Sequence, residues 1–587
     1  MAQSLLRPPH YKASLTATQG QRAKAWSWDK FVASGKGGFV RLGILRYLAP
    51  CSILLLALMF VLPERGHAIP AFSRLYQTSC STCHLDFPKL NDFGKAFKDA
   101  GFKFPKDDES MLKVPAVLLG APALKEVFPK AIWPGAIPGL PPIGLRMNNF
   151  FQVTTGNRNA FNSISLAQGA VPQFIPATDF QTGFFSIFTA GNFGSDIAFW
   201  VDDDISVAGS NAAGGLGDGY LRFVNIGRFL HMPTDALHFR AGQFELDLPF
   251  TQARTINLSP YDIFTESNVG AINALTGQQN VANQFLFANS AKGIELSGGH
   301  IYGGYHYSVA VVDQNTSGID QSSNGSVYVP SATGGSSGGV GFASDASAKA
   351  VYARFAYRFN LERNAESRKS VQAAGATGPR DHTYLNFGTF YLGGKSRQGF
   401  LGATGSAETT LLNVREPYYR AGGDFSFNYR TFNIYGVYMK GHDKNMLPVD
   451  ASGQLIPLPL SSTSPLPVAF VSSVPAKFSG GFVQSDYLVL PWVMLIMRWD
   501  GVNSSADRIN GFTFDNSTPF FAPLRSTRNR YTPGVQFLIH PNIKASFEYQ
   551  FRPQQYAAVT TNAAGTLQTA VNPFRVNTAL FGLEYVY

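Results

Sequence analysis

Two stretches of the sequence alternate apolar and polar residues with a period of two, the pattern of an extended strand whose faces meet different surroundings. In residues 351–360 the two faces are Val351, Ala353, Phe355, Tyr357 and Phe359 on one side, and Tyr352, Arg354, Ala356, Arg358 and Asn360 on the other. Residues 543–552 repeat the pattern. A soluble β-sandwich also contains such strands, so the alternation predicts strands without fixing what surrounds them.

The C-terminal strand and the composition favour a membrane barrel over a sandwich. Phe581, Leu583, Tyr585 and the final Tyr587 alternate with Gly582, Glu584 and Val586. An amphipathic strand that stops on an aromatic residue resembles the terminal recognition signal of bacterial outer-membrane barrels. Hydrophobic residues make up 45% of the chain and charged residues 15%, with 58 Gly and 49 Phe, yet no run after residue 68 approaches the length of a membrane helix. Barrels that cross the bilayer have this composition.

Candidate strands and loops alternate along residues 146–587. The strands lie near residues 146–156, 182–190, 195–206, 218–229, 235–244, 291–299, 301–312, 348–359, 382–394, 418–427, 430–441, 479–487, 491–500, 531–540, 543–552 and 576–587. Short links alternate with long polar loops such as 245–290 and 442–478, although residues 360–381 are long where a short turn is expected. We therefore predict an all-β fold, a transmembrane antiparallel β-barrel of about sixteen strands with both termini in the periplasm.

Residues 1–68 are predicted to be a signal peptide with a long N-terminal extension. Arg41 and Arg46 precede an apolar core at residues 51–62, and Gly66-His67-Ala68 supplies small residues for cleavage before Ile69. The apolar run is shorter than the roughly 18 residues of a spanning helix. Residues 1–40 are either an additional presequence or the result of a misassigned start.

The net charge does not indicate a nucleic-acid partner. The chain carries a formal charge of +10, but nine basic and two acidic residues lie before residue 69, so about +3 remains for the rest. A domain that binds nucleic acid concentrates far more positive charge.

The sequence Cys80-Ser81-Thr82-Cys83-His84 contains the two cysteines that remain after residue 68. C-x-x-C-H is the attachment motif of c-type haem, in which both thiols form thioethers and the histidine becomes an axial ligand of the iron. A redox dithiol would lie on a thioredoxin-like βαβ unit, and none is evident. A zinc site would need further ligands nearby, and His67 is removed with the signal peptide. The motif therefore predicts one covalent haem c on Cys80 and Cys83, with His84 on the iron.

Residues 69–105 are predicted to form a very small α-helical cytochrome segment. Pro88 suits a first helical turn, Leu90, Phe93 and Phe97 fall on one face, and Gly101 is placed for a C-cap. That face is expected to cover the porphyrin. Residues 106–145 are rich in proline and are predicted to be an extended connector.

The sequence offers several candidates for the sixth ligand of the iron and one candidate site for an external metal. Met111, Met147 and the lumen-facing His306 are candidates for the sixth ligand, and a methionine would raise the reduction potential. Asp202, Asp203 and Asp204 are expected at the external end of the third strand. Carboxylates there could hold Fe²⁺, but a carboxylate cluster at a strand end is more often a solvated loop.

The N-terminal segment resembles that of a known family. The matching residues run from Ala68-Ile69-Pro70-Ala71-Phe72-Ser73-Arg74 through the Cys80–His84 motif, Pro88, Leu90, Phe93-Gly94 and Phe97 to Gly101-Phe102. They are similar to the cytochrome segment of the fused monohaem cytochrome-porins of iron-oxidising bacteria.

The resemblance implies a haem at or inside the mouth of an outer-membrane barrel. Electrons would come from extracellular Fe(II) and pass to a soluble periplasmic cytochrome or copper protein, so that the chain oxidises iron as an electron-transfer protein. Two alternatives stay open: export of electrons to an external acceptor, and a diffusion porin with an accessory haem domain.

Overall fold

Sixteen antiparallel strands form a closed barrel in the computed structural model of the chain. The described residues are 71–76, 78–86, 88–104, 117–118, 136–137, 143–155, 176–193, 196–205, 215–248, 250, 255–265, 290–300, 304–313, 349–361, 383–401, 411–444, 447–454, 469–471, 476–504, 520–523, 527–552, 556–561, 567–571 and 577–587. The predicted signal peptide, residues 1–68, lies outside them.

Short elements precede the barrel. They are helix α1 (Ala71–Tyr76), a 3-10 turn (Cys80–Thr82), β1 (His84–Asp86), β2 (Lys89–Leu90), helix α2 (Asp92–Asp99), β3 (Val117–Leu118) and β4 (Ala136–Ile137). Strands β3 and β4 pair with each other and lie in the predicted connector, residues 106–145, whose last three residues belong instead to the first barrel strand, which begins at Ile143. Among the described helices, none is both long and apolar enough to cross a membrane.

The barrel strands are joined in chain order. They are β5 (Ile143–Thr154), β6 (Thr178–Phe193), β7 (Ile197–Ile205), β8 (Gly215–Phe223), β9 (His238–Phe244), β10 (Ala291–Gly299), β11 (Gly304–Asp313), β12 (Lys349–Asn360), β13 (Tyr384–Leu401), β14 (Leu411–Tyr429), β15 (Phe432–Asp443), β18 (Ala476–Leu490), β19 (Val493–Ser504), β21 (Thr527–His540), β22 (Ile543–Gln550) and β25 (Thr578–Val586). Each pairs with its neighbour, and β25 pairs with β5 to close the barrel. The prediction of a barrel of about sixteen strands is confirmed.

The remaining elements lie in connections between barrel strands. Strands β16 (Leu447–Val449) and β17 (Ala469–Val471) pair with each other, and β20 (Phe520–Pro523), β23 (Tyr556–Thr561) and β24 (Leu567–Val571) form a three-stranded sheet. Helix α3 (Asp262–Thr265) lies in the connection between β9 and β10.

One end of the barrel has short turns and the other has long loops. Residues 430–431, 491–492 and 541–542 are two-residue links at the end we call the turn end, whereas 245–290 and 444–475 are long connections at the opposite end. This alternation agrees with the prediction and is typical of barrels whose turns face the periplasm. The long connection after β12 is observed as predicted, but residues 362–382 lie outside the described part.

The connection between β8 and β9 differs from the prediction. The predicted strand 218–229 ends at Phe223, because Asn225 has a φ of 55° and a 3-10 helix, Ile226–Leu230, follows it. Asparagine tolerates this left-handed conformation better than most residues do. A residue in this conformation cannot continue a strand.

The two faces of the strands have the predicted surroundings. On β12, Phe355 and Phe359 are exposed on the outer surface, whereas Tyr352 and Arg358 are buried in the lumen. On β25, Phe581, Leu583 and Tyr585 point outward and Glu584 points inward. A closed barrel with an apolar outer wall satisfies its backbone hydrogen bonds internally, as a bilayer requires. The chain is therefore a membrane-spanning β-barrel.

The connection between β9 and β10 folds into the lumen. Its described residues 255–265, which we call the inner loop, contact the inner wall on one side of the barrel. Arg498 donates to the carbonyl of Ser259 at 3.0 Å, Arg530 pairs with Asp262 at 2.9 Å, and the Tyr261 ring stacks on Phe482 at 3.9 Å between centroids. Tyr261, Ile263 and Phe264 of the loop pack in one buried apolar cluster with wall side chains such as Phe482. The inner loop and this packing fill part of the lumen.

Candidate functional site

The segment that carries the Cys80–His84 motif is held by the inner wall at the turn end of the barrel. Both guanidinium nitrogens of Arg358 on β12 donate to the Asp92 carboxylate, at 2.7 and 2.6 Å. The Lys89 ammonium donates to Asp486 on β18 at 2.7 Å and to Asn433 on β15 at 3.0 Å. Because these wall residues point inward near the turn end, the segment is docked inside the mouth of the barrel.

The motif forms a tight turn that is tied to helix α2. The Cys83 amide donates to the Cys80 carbonyl at 3.1 Å, which closes the 3-10 turn. The backbone amide of Asn91 donates to the Cys83 carbonyl at 2.9 Å, and the side-chain amide of Asn91 donates to the Thr82 carbonyl at 3.0 Å. The same side chain accepts from the Gly94 amide at 2.9 Å and caps α2. Asn91 thus fixes the orientation of the turn relative to the helix.

The helix begins later than the sequence predicted. Pro88 lies before the short strand β2 rather than in the first helical turn, because Asn91 provides the N-cap and Asp92 the first turn. Gly101 has a φ of +77° just after the helix, which agrees with its predicted place in the C-terminal cap. An asparagine before an acidic residue is a start signal that the sequence offered at Asn91 and that the prediction missed.

The apolar face of α2 packs against aromatic residues. The rings of Phe97 and Tyr76 lie 5.6 Å apart, and the rings of Phe93 and Phe104 lie 5.2 Å apart. Phe102 in turn contacts Trp200 on the barrel wall at 5.6 Å between centroids. The face that we expected to cover a porphyrin is therefore filled by side chains of the segment and the wall.

The two thiols are poor candidates for thiolate chemistry. Cys80 and Cys83 are free and partly buried. Burial raises the pKa of Cys83 to about 12, with a further contribution from Cys80, and burial also raises the pKa of Cys80. Catalytic dithiols have thiol pKa values below the ordinary one. The pair is consequently unlike a redox dithiol.

The surroundings of His84 keep its imidazole neutral. Burial lowers the pKa of His84 to about 4, and the nearby cations Arg146 and Lys544 also lower it. The carbonyl groups of Pro88 and Lys89 act in the opposite direction and raise it. The neutral ring is the form that binds a metal. Its Nδ1 is buried without a hydrogen-bond partner. Two thiols in one turn and this ring fit the groups that covalent haem attachment uses.

Gly94 allows α2 to lie against the motif. A Cβ atom at this position would lie 2.1 Å from the Cys83 carbonyl oxygen. We expect Gly94→Ala to displace the turn from the helix and to lower several-fold the yield of the covalent haem protein that the motif predicts, as measured by haem staining per mole of purified chain. Lys98→Ala in the same helix is the matched control and should keep the wild-type yield. A normal yield for Gly94→Ala would contradict the expected close packing.

Two of the three candidates for the sixth ligand lie among the described residues. Met147 is on the outer surface of β5, where the Tyr585 hydroxyl donates to its sulfur at 3.2 Å. His306 bonds Asp247 at 2.7 Å on β11, on the side of the barrel opposite β5 and β22, which carry the cations near His84. The Met147 side chain therefore points away from the lumen, and the assignment of His306 as sixth ligand stays a prediction. Met111 lies outside the described residues.

The carboxylates Asp202 and Asp203 point to opposite faces of β7. Their strand ends at the loop end, as predicted. Asp202 accepts a hydrogen bond from the Asp218 amide, whereas Asp203 is exposed on the outer face. The side chain of Asp204 lies outside the described part. Within the described residues, no group of three or more His, Cys, Asp or Glu side chains is arranged to hold a metal ion.

Known proteins resemble this chain in shape only. No family model and no curated protein matches it. Among solved structures it is similar to an anion-selective porin from Comamonas acidovorans, with 10% identity over 76% of this chain and 98% of that chain and a TM-score of 0.41. OprB of Pseudomonas putida at high pH has 7% identity over 76% and 94% of the two chains and a TM-score of 0.42. The OmpT trimer form of Vibrio cholerae has 9% identity over 76% and 99%, with a TM-score of 0.38. The description of the barrel rests on its own strand pairing.

Proposed function

We propose that this chain is an outer-membrane electron-transfer protein with one haem c, attached to Cys80 and Cys83 and ligated by His84. The observation that supports this best is the docking of the motif inside the barrel by the Arg358–Asp92 and Lys89–Asp486 pairs. A cytochrome segment on a free tether would have no need of buried ion pairs with the wall. A signal peptide at residues 1–68 would deliver the chain to the periplasm, where the haem is attached.

The position of the motif suits transfer across a membrane. Electron tunnelling decays steeply with distance, and the hydrocarbon layer is about 30 Å thick. A redox centre fixed inside the mouth of the barrel is separated from lipid by the wall and shortens the distance that an electron must tunnel. The bound haem would supply a reversible one-electron couple, while the protein excludes lipid and fixes the position of the centre.

The proposed reaction moves one electron at a time. An extracellular Fe(II) loses an electron and becomes Fe(III), and an oxidised periplasmic cytochrome or copper protein receives that electron. The choice of Fe(II) as donor comes from the resemblance of residues 68–102. Export of electrons to an external acceptor uses the same arrangement in reverse, and the relative potentials of donor and acceptor decide the direction.

A diffusion porin is a weaker alternative because of what lies in the lumen. The inner loop is fixed by buried ion pairs, and Tyr261 and Phe264 pack with wall residues such as Phe482. The loop narrows the lumen on this side, which leaves less room for solutes than an unobstructed barrel would. The packing suits a barrel that insulates a redox site.

Redox spectroscopy on the purified full-length protein tests the proposal. We expect haem staining that survives denaturation, a reversible one-electron titration, and reduction by Fe²⁺ in stopped-flow mixing. Cys83→Ala should lose most of the covalent stain. Absence of covalent haem in the wild-type protein would overturn the proposal, and haem that Fe²⁺ fails to reduce would favour the outward direction.

A further inference from the structure

His84 faces a limited sector of the barrel wall. It pairs with Leu90 between β1 and β2, and the adjacent Lys89 bonds Asp486 on β18 at 2.7 Å. On the other side, His84 lies close enough to Arg146 on β5 and Lys544 on β22 to feel their charges. Between β18 and β22 the barrel contains only β19 and β21. The inner faces of these two strands therefore lie within the sector that encloses the attachment turn.

Met494 is the methionine on the inner face of this sector. It lies beside the first residue of β19, opposite Leu488 on β18 and Gln536 on β21, and it is 5% exposed. Lys544 occupies the corresponding place on β22, next to the first residue of that strand. Met494 and the cation near His84 thus lie at a similar depth, close to the turn end.

The other methionines in the described part of the chain are placed elsewhere. Met147 and Met497 are on the outer face, and Met232 is exposed on the connection between β8 and β9. Met439 faces inward on β15, but it lies in the half of that strand nearer the loop end. Among the described residues, Met494 is therefore the methionine that combines an inward side chain with a position at the turn end.

Several polar atoms in the same sector have no hydrogen-bond partner. They are His84 Nδ1, Gln536 Oε1 on β21, Ser546 Oγ on β22 and Asn148 Oδ1 on β5. Gln536 and Ser546 are direct cross-strand partners, and Gln536 is also the partner of Met494. Buried polar atoms are normally paired, so Gln536 Oε1 and Ser546 Oγ, which lie beside Met494, are acceptors that water could reach, although Gln536 Nε2 donates to the Ile256 carbonyl of the inner loop.

We propose that Met494 is the sixth ligand of the haem iron, on the side of the porphyrin opposite His84. This inference rests on the proposed function. The unbranched side chain of methionine has several rotatable bonds, so its sulfur can turn away from Ile256 and Leu488, with which it packs. A thioether ligand raises the reduction potential above that of a bis-histidine haem, which suits acceptance of electrons from Fe(II). The barrel wall itself would then complete the coordination of the iron.

Substitution of single methionines in the full-length protein tests the inference. Met494→Leu should keep its covalent stain but lose the weak long-wavelength absorption band of thioether-ligated ferric haem, and its potential should shift to lower values. Met494→His should give a six-coordinate low-spin spectrum without that band. Met439→Leu, which changes a buried methionine on the same inner wall, should keep both the band and the potential.

The outcomes separate this inference from the proposed function. A Met494→Leu protein that keeps the band and the potential overturns the inference, and so does loss of the band in Met111→Leu alone. In either case covalent haem that Fe²⁺ reduces would leave the proposed function standing. Wild-type protein without covalent haem would end both.

Discussion

Arg358→Ala is expected to release the motif-bearing segment from the barrel. The guanidinium of Arg358 makes two hydrogen bonds to Asp92, at 2.7 and 2.6 Å, and lies 3.6 Å from the centroid of the Tyr384 ring. Both charged side chains are almost fully buried. Removing one member of a buried ion pair costs about 3–5 kcal/mol, and we expect the lower end of that range because Lys95 still bonds Asp92 at 3.1 Å. Docking should weaken by about 10²-fold or more, at 1.4 kcal/mol for each factor of ten.

Hydrogen exchange of residues 88–104 measures this release. In the wild-type protein the amides of α2 should be protected, and in Arg358→Ala they should exchange about 10²-fold faster or more, while the barrel strands stay protected. Arg228→Ala is a matched control, because Arg228 pairs with Asp196 on the exposed surface, where an ion pair contributes about 0–1 kcal/mol. Wild-type protection in Arg358→Ala would contradict the assigned role of the pair.

The same pair gives docking a defined pH dependence. Burial alone would raise the pKa of Asp92, but Lys95 and Arg358 outweigh it and hold that pKa well below its usual range. A carboxyl with a depressed pKa stabilises the folded form above its unfolded pKa of about 4, and this contribution is lost as the pH falls below that value. Protection of α2 should therefore be constant from neutral pH to about pH 5 and decrease below about pH 4.

Arg530→Ala is expected to loosen the inner loop and to admit ions to the lumen. Arg530 pairs with Asp262 at 2.9 Å and with Asp500 at 3.0 Å, and it also donates to the Pro260 carbonyl. All three charged side chains are buried. Its loss leaves Asp500 with Arg498 and Asp262 with Arg552, so we expect a cost near the lower end of the usual range, about 3 kcal/mol.

Conductance in planar bilayers measures the opening of the lumen. A cost of about 3 kcal/mol should raise the frequency of open events about 10²-fold over the wild-type protein. Arg228→Ala serves again as a control with an exposed arginine and should behave like the wild type. A wild-type protein that already conducts steadily, with no increase in Arg530→Ala, would contradict the insulating role and favour a diffusion porin.

The barrel was predictable from sequence because its signal is local. The alternation at Val351–Asn360 and the aromatic end at Tyr587 each depend on a few neighbouring residues, and the strand register follows from short links such as residues 541–542. The folding of residues 255–265 into the lumen was not predictable. The partners of this loop, such as Glu548 for Leu258 and Ser259, lie 290 and 289 residues away in the chain. The alternating pattern showed which charged side chains point into the lumen, but it did not show which residues they contact there.

The candidate site likewise has one part that was predictable from the sequence and one part that was not. The turn at Cys80–Cys83 and the helix after it follow from residues close in sequence, and the missed N-cap at Asn91 was a local signal that Pro88 obscured. The docking pair is different, because Asp92 and Arg358 are 266 residues apart. The positions of Met147 and His306 likewise depend on which strands lie opposite each other across the lumen. This arrangement is fixed only when the barrel is closed.

The closing pair of strands also sets the order of folding. Strand β25 pairs with β5, and the Arg146–Glu584 ion pair at this seam joins residues 438 positions apart. Contacts so distant in sequence form slowly, because the entropy of closing the loop is lost before the contact stabilises anything. We therefore expect the seam to be the last part of the wall to form. Until it does, the sheet is open beside the sector that faces His84, and the N-terminal segment has time to settle against its ion-pair partners before the wall surrounds it.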